Sequence, residues 1–328
     1  MNRNLRILII CSGNVENYDI KKHHAFVYEQ IETVKNKYAV EYDTLFIKGK
    51  GISGYLKNVP KLRKKIKEFK PDLIHAHYGL TGLLSCTQRV VPVVITFHGS
   101  EILYFTNRFL TSIAAILSGY NIFVTKHIWE KLYFKPRKNF EIIPCGINLD
   151  ESTVVDKEIS ISKMKLDNKK VNVVFAGAFN DEIKNSQLAI AAIKSIDRKN
   201  INLIELKGYK REEVNYLLNA CDLFLLTSIS EASPQTIKEA MACNCPIVAT
   251  NVGEIRDIIS DTDGCFITTF EPEDIAQKIK LALEFGSRTN GREKITRFDN
   301  NFIAEKIYSV YKNVLHIPPE SNYINSSK

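Results

Sequence analysis

The order of residue types along this chain predicts an α/β protein built from two doubly wound domains facing each other across a cleft. Three observations carry that expectation. Short β-branched runs alternate with helical patterns from one end to the other, as parallel strands covered by helices on both faces require. The second half repeats the alternation of the first. The length of 328 residues suits about two domains of roughly 100–200 residues each.

In the first half, strands are expected at 5–11 (LRILIIC), 41–47, 72–77 (DLIHAH), 92–97 (PVVITF), 121–125 and 140–144. Helical patterns lie between them, for example at 22–37 and 60–69. In the second half, strands are expected at 171–176 (VNVVFA), 201–206, 222–227 (DLFLLT), 246–250 (PIVAT) and 265–268. Helices fall near 185–197, 211–220, 234–243, 253–260 and 272–285. Pro144-Cys145-Gly146 ends a strand and leads into a polar stretch, 151–170, of weak periodicity, so the linker is placed there. The expected domains are therefore 1–150 and 151–299. Residues 300–316 read as an amphipathic helix that returns to the N-terminal domain, and 317–328 as a disordered tail.

Hydrophobic content of 45% and charged content of 25% are those of an ordinary globular protein. No apolar run is long enough to span a membrane, and no signal peptide is read at the start. Seven cysteines, mostly in apolar segments, suggest reduced thiols in a cytoplasm. Cys243-Asn244-Cys245 resembles half a metal site, but no second pair follows at a suitable spacing. Charge is uneven. Residues 1–150 hold 22 Lys+Arg against 12 Asp+Glu, and 151–328 hold 23 against 25. The basic half implies an anionic partner on that side.

The stretch from Ser228, SISEASPQTIKEAMACNCPIVATNVGEI, concentrates the chemistry. Ser233 is expected to cap a helix and Pro234 to take its first position. Asn244 follows where a left-handed residue is wanted. A helix start presents free N–H groups and a positive dipole end, which suits a diphosphate. Glu239, deeper in the helix, can accept hydrogen bonds from vicinal ribose hydroxyls, and Glu231 faces what lies beyond the phosphates. Spacing alone leaves open a plain helix with an exposed acid at each end.

Wider patterns resemble glycosyltransferase family 4, retaining sugar-nucleotide transferases of the Rossmann-like GT-B fold. Glu231-Ala-Ser-Pro-Gln-Thr-Ile-Lys-Glu239 matches the family's E-x7-E motif, with Pro246-Ile-Val-Ala-Thr and Val252-Gly253-Glu254-Ile255 downstream. Asp72-Leu-Ile-His-Ala-His77, Thr96-Phe-His98-Gly99-Ser-Glu101, Ile143-Pro-Cys-Gly146-Ile-Asn148 and Val174-Phe-Ala-Gly177 match in order and spacing. The resemblance implies that Glu239 binds the ribose and that Glu231 lies close to the donor sugar and phosphates. It implies that Ala232, Ser233, Pro234 and Gln235 contact sugar hydroxyls and phosphate through their backbone, and that Lys184 neutralises the diphosphate. His98 would meet the donor sugar at the reaction centre, and Ser12-Gly13 would approach phosphate or acceptor. The sequence departs from the family where Ala178-Phe179 stands in place of an arginine after Gly177. Milder departures are Ser12 for a glycine and Asn244 for a glycine.

Other residues admit two readings each. His77 lines the cleft or belongs to the core with His75. The run Lys61–Lys70, with Leu62, Ile66 and Phe69 on one stripe, is a solvated helix or a contact for anionic lipid headgroups. Tyr104, Phe105, Arg108, Phe109, Trp129, Tyr133, Phe134, Lys135, Arg137 and Lys138 mix aromatics with cations in the same half, as a membrane interface does. No RNA-binding motif is present. The expected function is transfer from a UDP- or GDP-sugar, without metal or other cofactor, to a glycan or lipid-linked acceptor in bacterial cell-surface polysaccharide synthesis. The expected location is the cytoplasm or the inner face of the cell membrane. The alternatives are a sugar-nucleotide epimerase or phosphorylase of similar fold, the latter without the lysine environment it needs, and a catalytically weak sugar-nucleotide-binding scaffold.

Overall fold

The computed structural model describes residues 3–196 and 200–318, so the last ten residues of the expected tail lie outside the described residues. The chain divides into two compact units. One holds the residues up to Pro144 together with those from Asn301 onward; the other is Cys145–Asn300.

The first unit contains a six-stranded, all-parallel sheet. Its strands are β1 (Leu5–Ser12), β2 (Val40–Ile47), β3 (Leu73–His77), β4 (Val93–Phe97), β5 (Tyr120–Phe123) and β6 (Phe140–Ile142), in spatial order β2-β1-β3-β4-β5-β6. β1 pairs with β2 from Leu5↔Val40 to Ser12↔Ile47 and with β3 from Ile7↔Leu73 to Ile10↔Ala76. The chain reverses its direction of travel across the sheet at β1, which parts the loops after β1 and β3. That is where such sheets receive ligands. β3 and β4 are buried along their whole length, because helices cover both faces.

The C-terminal helix Asn300–Val314 packs on this first unit. Ile303, Ile307, Val310 and Tyr311 join Ile7, Ile9, Val27 and Val34 in one core. Each large apolar side chain fully buried there contributes about 1.5–3 kcal/mol, so this helix is an integral part of the unit despite its distance in sequence.

The second unit contains β7 (Val171–Phe175), β8 (Ile201–Glu205), β9 (Leu223–Leu226), β10 (Ile247–Thr250) and β11 (Cys265–Thr268), all parallel in order β11-β10-β9-β7-β8. Here the reversal falls between β7 and β9.

Two local expectations are corrected. The pattern at 22–37 forms two helices, Ile20–His23 and Ala25–Lys37, broken at His24 with φ −139° and ψ 51°. The His24 ring is held there by Tyr18, whose hydroxyl lies 2.8 Å from Nδ1, and by Tyr78. The expected linker contains a helix, Lys157–Met164. Asp156 caps it by accepting from Glu158 N and Ile159 N at 3.0 and 3.1 Å. Eight residues with a weak apolar stripe were too short a signal to read.

Candidate active site

Three strand ends meet at the carboxyl edge of the second sheet. After β7 the chain makes the short turn Glu182–Lys184, capped by Asp181. After β9, Thr227 donates to the carbonyls of Lys184 and Asn185, both at 3.0 Å, and Ile229 N donates to Ile183 O at 2.9 Å. These bonds lace the two loops together. Lys184 Nζ then reaches Glu231 Oε1 at 2.6 Å, and Ser228 Oγ donates to the same oxygen at 2.8 Å. Gly177 lets the lysine pass, since a Cβ there would lie 2.7 Å from Lys184 Cγ. After β10, Gly253 turns with φ +57° against the Glu231-Ala232 backbone, where a Cβ would meet Ala232 O at 2.4 Å. Glu254 N donates to Ala232 O at 3.1 Å. The loop carrying Glu231 is thus fixed from both sides.

The helix that follows is Gln235–Ala242, and its N-cap is Pro234 with φ −67° and ψ 121°. This corrects the expected start by one residue. Ser233 does not cap the helix: its hydroxyl accepts from Lys238 Nζ at 2.7 Å, and no side chain caps this start. Among the described residues, the N-cap makes no side-chain hydrogen bond and no acidic residue stands in the first turn. The helix end keeps its full attraction for an anion. The Gln235 amide nitrogen is buried without a hydrogen-bond partner. Glu239 lies half-buried in the second turn. Burial raises its pKa, and the Arg211 guanidinium opposes the rise. Asn244 ends the segment in the left-handed region, φ +54°, as its position after the helix predicts.

In the first unit, Ser12 closes β1 and its hydroxyl accepts from Asn14 Nδ2 at 3.2 Å. Gly13 N donates to Ile47 O at 2.8 Å. His77 ends β3 and His98 follows β4. Their facing nitrogens, His77 Nδ1 and His98 Nε2, are 3.0 Å apart and share one hydrogen bond. The Glu101 carboxylate accepts from His98 N and Gly99 N at 3.0 and 2.7 Å, which sets the loop after β4. Burial pushes the His98 imidazole down to about 3 and drives His77 well below its ordinary value, with the neighbouring histidines adding to the effect. Both rings are neutral at neutral pH. His75 belongs to the core, bonded to Tyr311 Oη and Thr96 Oγ1, each at 2.7 Å.

The structure thus brings Lys184, Glu231, Ala232, Ser233, Pro234, Gln235 and Glu239 to one edge of the second sheet. It brings Ser12, Gly13, His77 and His98 to the corresponding edge of the first. Sequence reading missed Ser228, Lys238, Glu254 and Glu101. All four fall inside quoted stretches, and Lys238 could have been noticed as a cation on an otherwise apolar helix face. The substitution of Ala178-Phe179 leaves Phe179 packed on Phe175, ring centroids 5.5 Å apart. Lys207 Nζ reaches Asn180 on the same loop at 3.3 Å.

The basic and aromatic residues of the first half separate into two groups. In the helix Val59–Phe69, Leu62 and Phe69 face the core and Lys65 pairs with Asp43 at 2.6 Å. Lys61, Arg63, Lys64 and Lys67 are exposed. Tyr104 and Phe105 are 71% and 72% exposed, with Phe109, Tyr133 and Phe134 exposed beside them. Trp129 is structural, stacked on Phe140 and donating to Pro136 O at 3.1 Å. Cys243 and Cys245 are buried; Cys243 donates to Asn215 and Cys245 lies 3.3 Å from Cys221. Among the described residues there is no cluster of three His, Cys, Asp or Glu side chains that could hold a metal, and no helix is long and apolar enough to cross a membrane.

Two parallel-sheet α/β units, the second presenting a lysine and an uncapped helix start at its switch point, have the GT-B fold. Residues 165–301 match the family model described as Glycosyl transferases group 1, and residues 23–151 match that of Glycosyltransferase Family 4. The chain belongs to these glycosyltransferases. An uncharacterized glycosyltransferase of Methanocaldococcus jannaschii is 29% identical over 288 residues, 78% of either chain. The O-antigen biosynthesis glycosyltransferase WbnH of Escherichia coli is 26% identical over 281 residues, 78% of this chain and 79% of that one. Among solved structures, HepE of Anabaena in complex with UDP superposes with a TM-score of 0.74 at 16% identity, covering 94% of this chain and all of that one.

Proposed function

We propose that the protein is a retaining glycosyltransferase that moves a sugar from a UDP- or GDP-sugar to a glycan or lipid-linked acceptor in bacterial cell-surface polysaccharide assembly. The observation that carries this reading is Lys184 beside Glu231, at the uncapped start of the helix that also bears Glu239. Breaking the sugar–phosphate bond places negative charge on the leaving diphosphate. The Lys184 ammonium and the free N–H groups of the first helical turn are aimed where that charge develops. Glu239 accepts from the ribose hydroxyls. The neutral His98 ring, on the first unit, offers a hydrogen bond to the donor sugar. Retention follows from attack by the acceptor on the face that the diphosphate leaves. The likeness to an O-antigen enzyme and to a UDP-bound structure supports the acceptor and donor classes. The deciding experiment offers a panel of UDP- and GDP-sugars with a lipid-linked acceptor and reads the product by mass spectrometry. Donor binding with neither hydrolysis nor transferred sugar in any combination would favour a sugar-nucleotide-binding scaffold, consistent with Ala178-Phe179 standing in place of a phosphate-binding arginine.

Charge neutralisation by Lys184 and the helix start leaves no step that requires a divalent ion. Transfer is expected to keep its full rate in excess EDTA. Abolition by EDTA and recovery with Mg²⁺ or Mn²⁺ would refute this.

We also propose reversible attachment of the first unit to an anionic membrane surface. Lys61, Arg63, Lys64 and Lys67 are exposed to headgroups, Lys64 beside Glu68 at 3.7 Å, at about 1 kcal/mol each near such a surface. The protein is expected to sediment with anionic liposomes at low salt, to be released at high salt, and to stay with the supernatant when these four are changed to serine. Equal sedimentation with neutral liposomes would assign the attraction to the exposed aromatics instead.

A further inference from the structure

Lys238 is the residue immediately before Glu239, and its side chain is fully buried, 0% exposed. A buried ammonium costs several kcal/mol of desolvation unless its donors are satisfied. A methionine would fill the same volume at no such cost, so the charge calls for an explanation. Its Nζ donates to Ser233 Oγ and to the Cys145 carbonyl, each at 2.7 Å, and lies 4.7 Å from the centre of the Phe298 ring. The Glu254 carboxylate lies near both groups: burial raises its pKa, and the Lys238 charge and the Ser233 hydroxyl oppose the rise. The backbone N–H of Glu254 holds Ala232 O.

These partners are not scattered. Ser233 lies in the loop between Glu231 and the helix start. Cys145 is the first residue of the second unit. Phe298 lies two residues before its end and is tied back to the entering segment: Ile147 N donates to Phe298 O at 2.8 Å, and Asn300 N to Ile147 O at 2.9 Å. One buried cation therefore joins the phosphate-facing loop to both segments through which the chain enters and leaves this unit.

We infer that Lys238 is a positioning residue for transfer. It holds Ala232–Pro234 in the shape that receives the donor's diphosphate, using the entering and leaving segments as its anchor. The Ser233 oxygen is turned to Lys238, and the backbone N–H groups of this loop are what the anchor sets toward phosphate. Losing the anchor should therefore affect the diphosphate part of a ligand and leave recognition of the nucleoside intact. The inference rests on the proposed donor reading.

Calorimetry with UDP and GDP, each against its monophosphate, separates the two. Wild type is expected to prefer one diphosphate over its monophosphate. Lys238→Met should weaken that diphosphate by about 10–100-fold, the worth of one or two charge-assisted hydrogen bonds, with monophosphate affinity within about threefold. Donor KM should rise accordingly. The double variant Lys238→Met/Glu254→Gln removes the stranded carboxylate. It should regain melting temperature relative to the single variant without regaining diphosphate preference. Should Lys238→Met fail to fold, Ser233→Ala keeps the buried ammonium on the Cys145 carbonyl but cuts its link to the loop, and the same selective loss is expected. Equal losses of both ligands, a double variant that recovers the preference, or an unchanged preference in Ser233→Ala each overturn the positioning role. A wild type that binds neither UDP nor GDP removes the donor reading, and this inference with it.

Discussion

Alanine in place of His98 should cut turnover by about 10²–10³-fold, the usual scale for one preorganised hydrogen bond to a reacting centre, and leave nucleotide affinity within about twofold. The ring stands at the carboxyl end of β4, with its backbone N–H held by the buried Glu101 carboxylate and its Nε2 facing His77 Nδ1. Both the loop and the ring plane are therefore set before substrate arrives. One proton is shared between the two imidazoles, so whichever nitrogen of His98 carries hydrogen is decided jointly with His77. The pH dependence is part of the same expectation. An ordinary imidazole titrates near 6.5, but burial, with His75 and His24 nearby, lowers His98 to about 3. It stays neutral as pH falls from 8 to 5. The wild-type rate should show no limb near 6.5 arising from this residue. Turnover of His98→Ala close to wild type would remove the assignment.

Glu239→Ala is expected to weaken UDP or GDP binding about 100-fold. Two hydrogen bonds from ribose hydroxyls to a carboxylate, at roughly 1.5–3 kcal/mol each before the cost of ordering, leave about 3 kcal/mol net. The carboxyl sits half-buried in the second turn of the helix, and its raised pKa reports that burial. A ribose held there would supply the hydrogen bonds that burial takes from the carboxylate. Because the pKa is raised, protonation begins at a higher pH than for an ordinary glutamate, and affinity should fall as pH drops through that raised value. Calorimetry across pH on folded variant and wild type is the measurement. Unchanged affinity for both nucleotides in Glu239→Ala would end the ribose role.

Much of the fold is legible without coordinates. The runs LRILIIC, DLIHAH, PVVITF, VNVVFA and DLFLLT are apolar nearly throughout, and each forms a parallel strand within a residue or two of its expected limits. A strand buried on both faces leaves a continuous apolar run. Helix limits were less legible where a tertiary contact outweighed the local pattern. His24 breaks a helix because Tyr18 and Tyr78 claim its ring, and neither lies on the helix it interrupts.

The sequence by itself determined the alternation of strands and helices, the two parallel sheets and the segment from Glu231 to Glu239, because these depend on period and on residues a few positions apart. Only the tertiary structure decided that Ser233 gives up the helix cap to Lys238, that Lys184 meets Glu231, and that His75 is spent on Thr96 and Tyr311 while His77 faces His98. Lys238 is drawn inward by the Cys145 carbonyl, 93 positions away, and the other contacts need the strand order. β7 lies between β8 and β9, so the loops after β7 and β9 become neighbours although a strand and two helices separate them in the chain. Local periodicity records which face of an element is buried. It does not record which charged side chain from another element arrives at the same strand end, because that is set by the packing of the whole sheet.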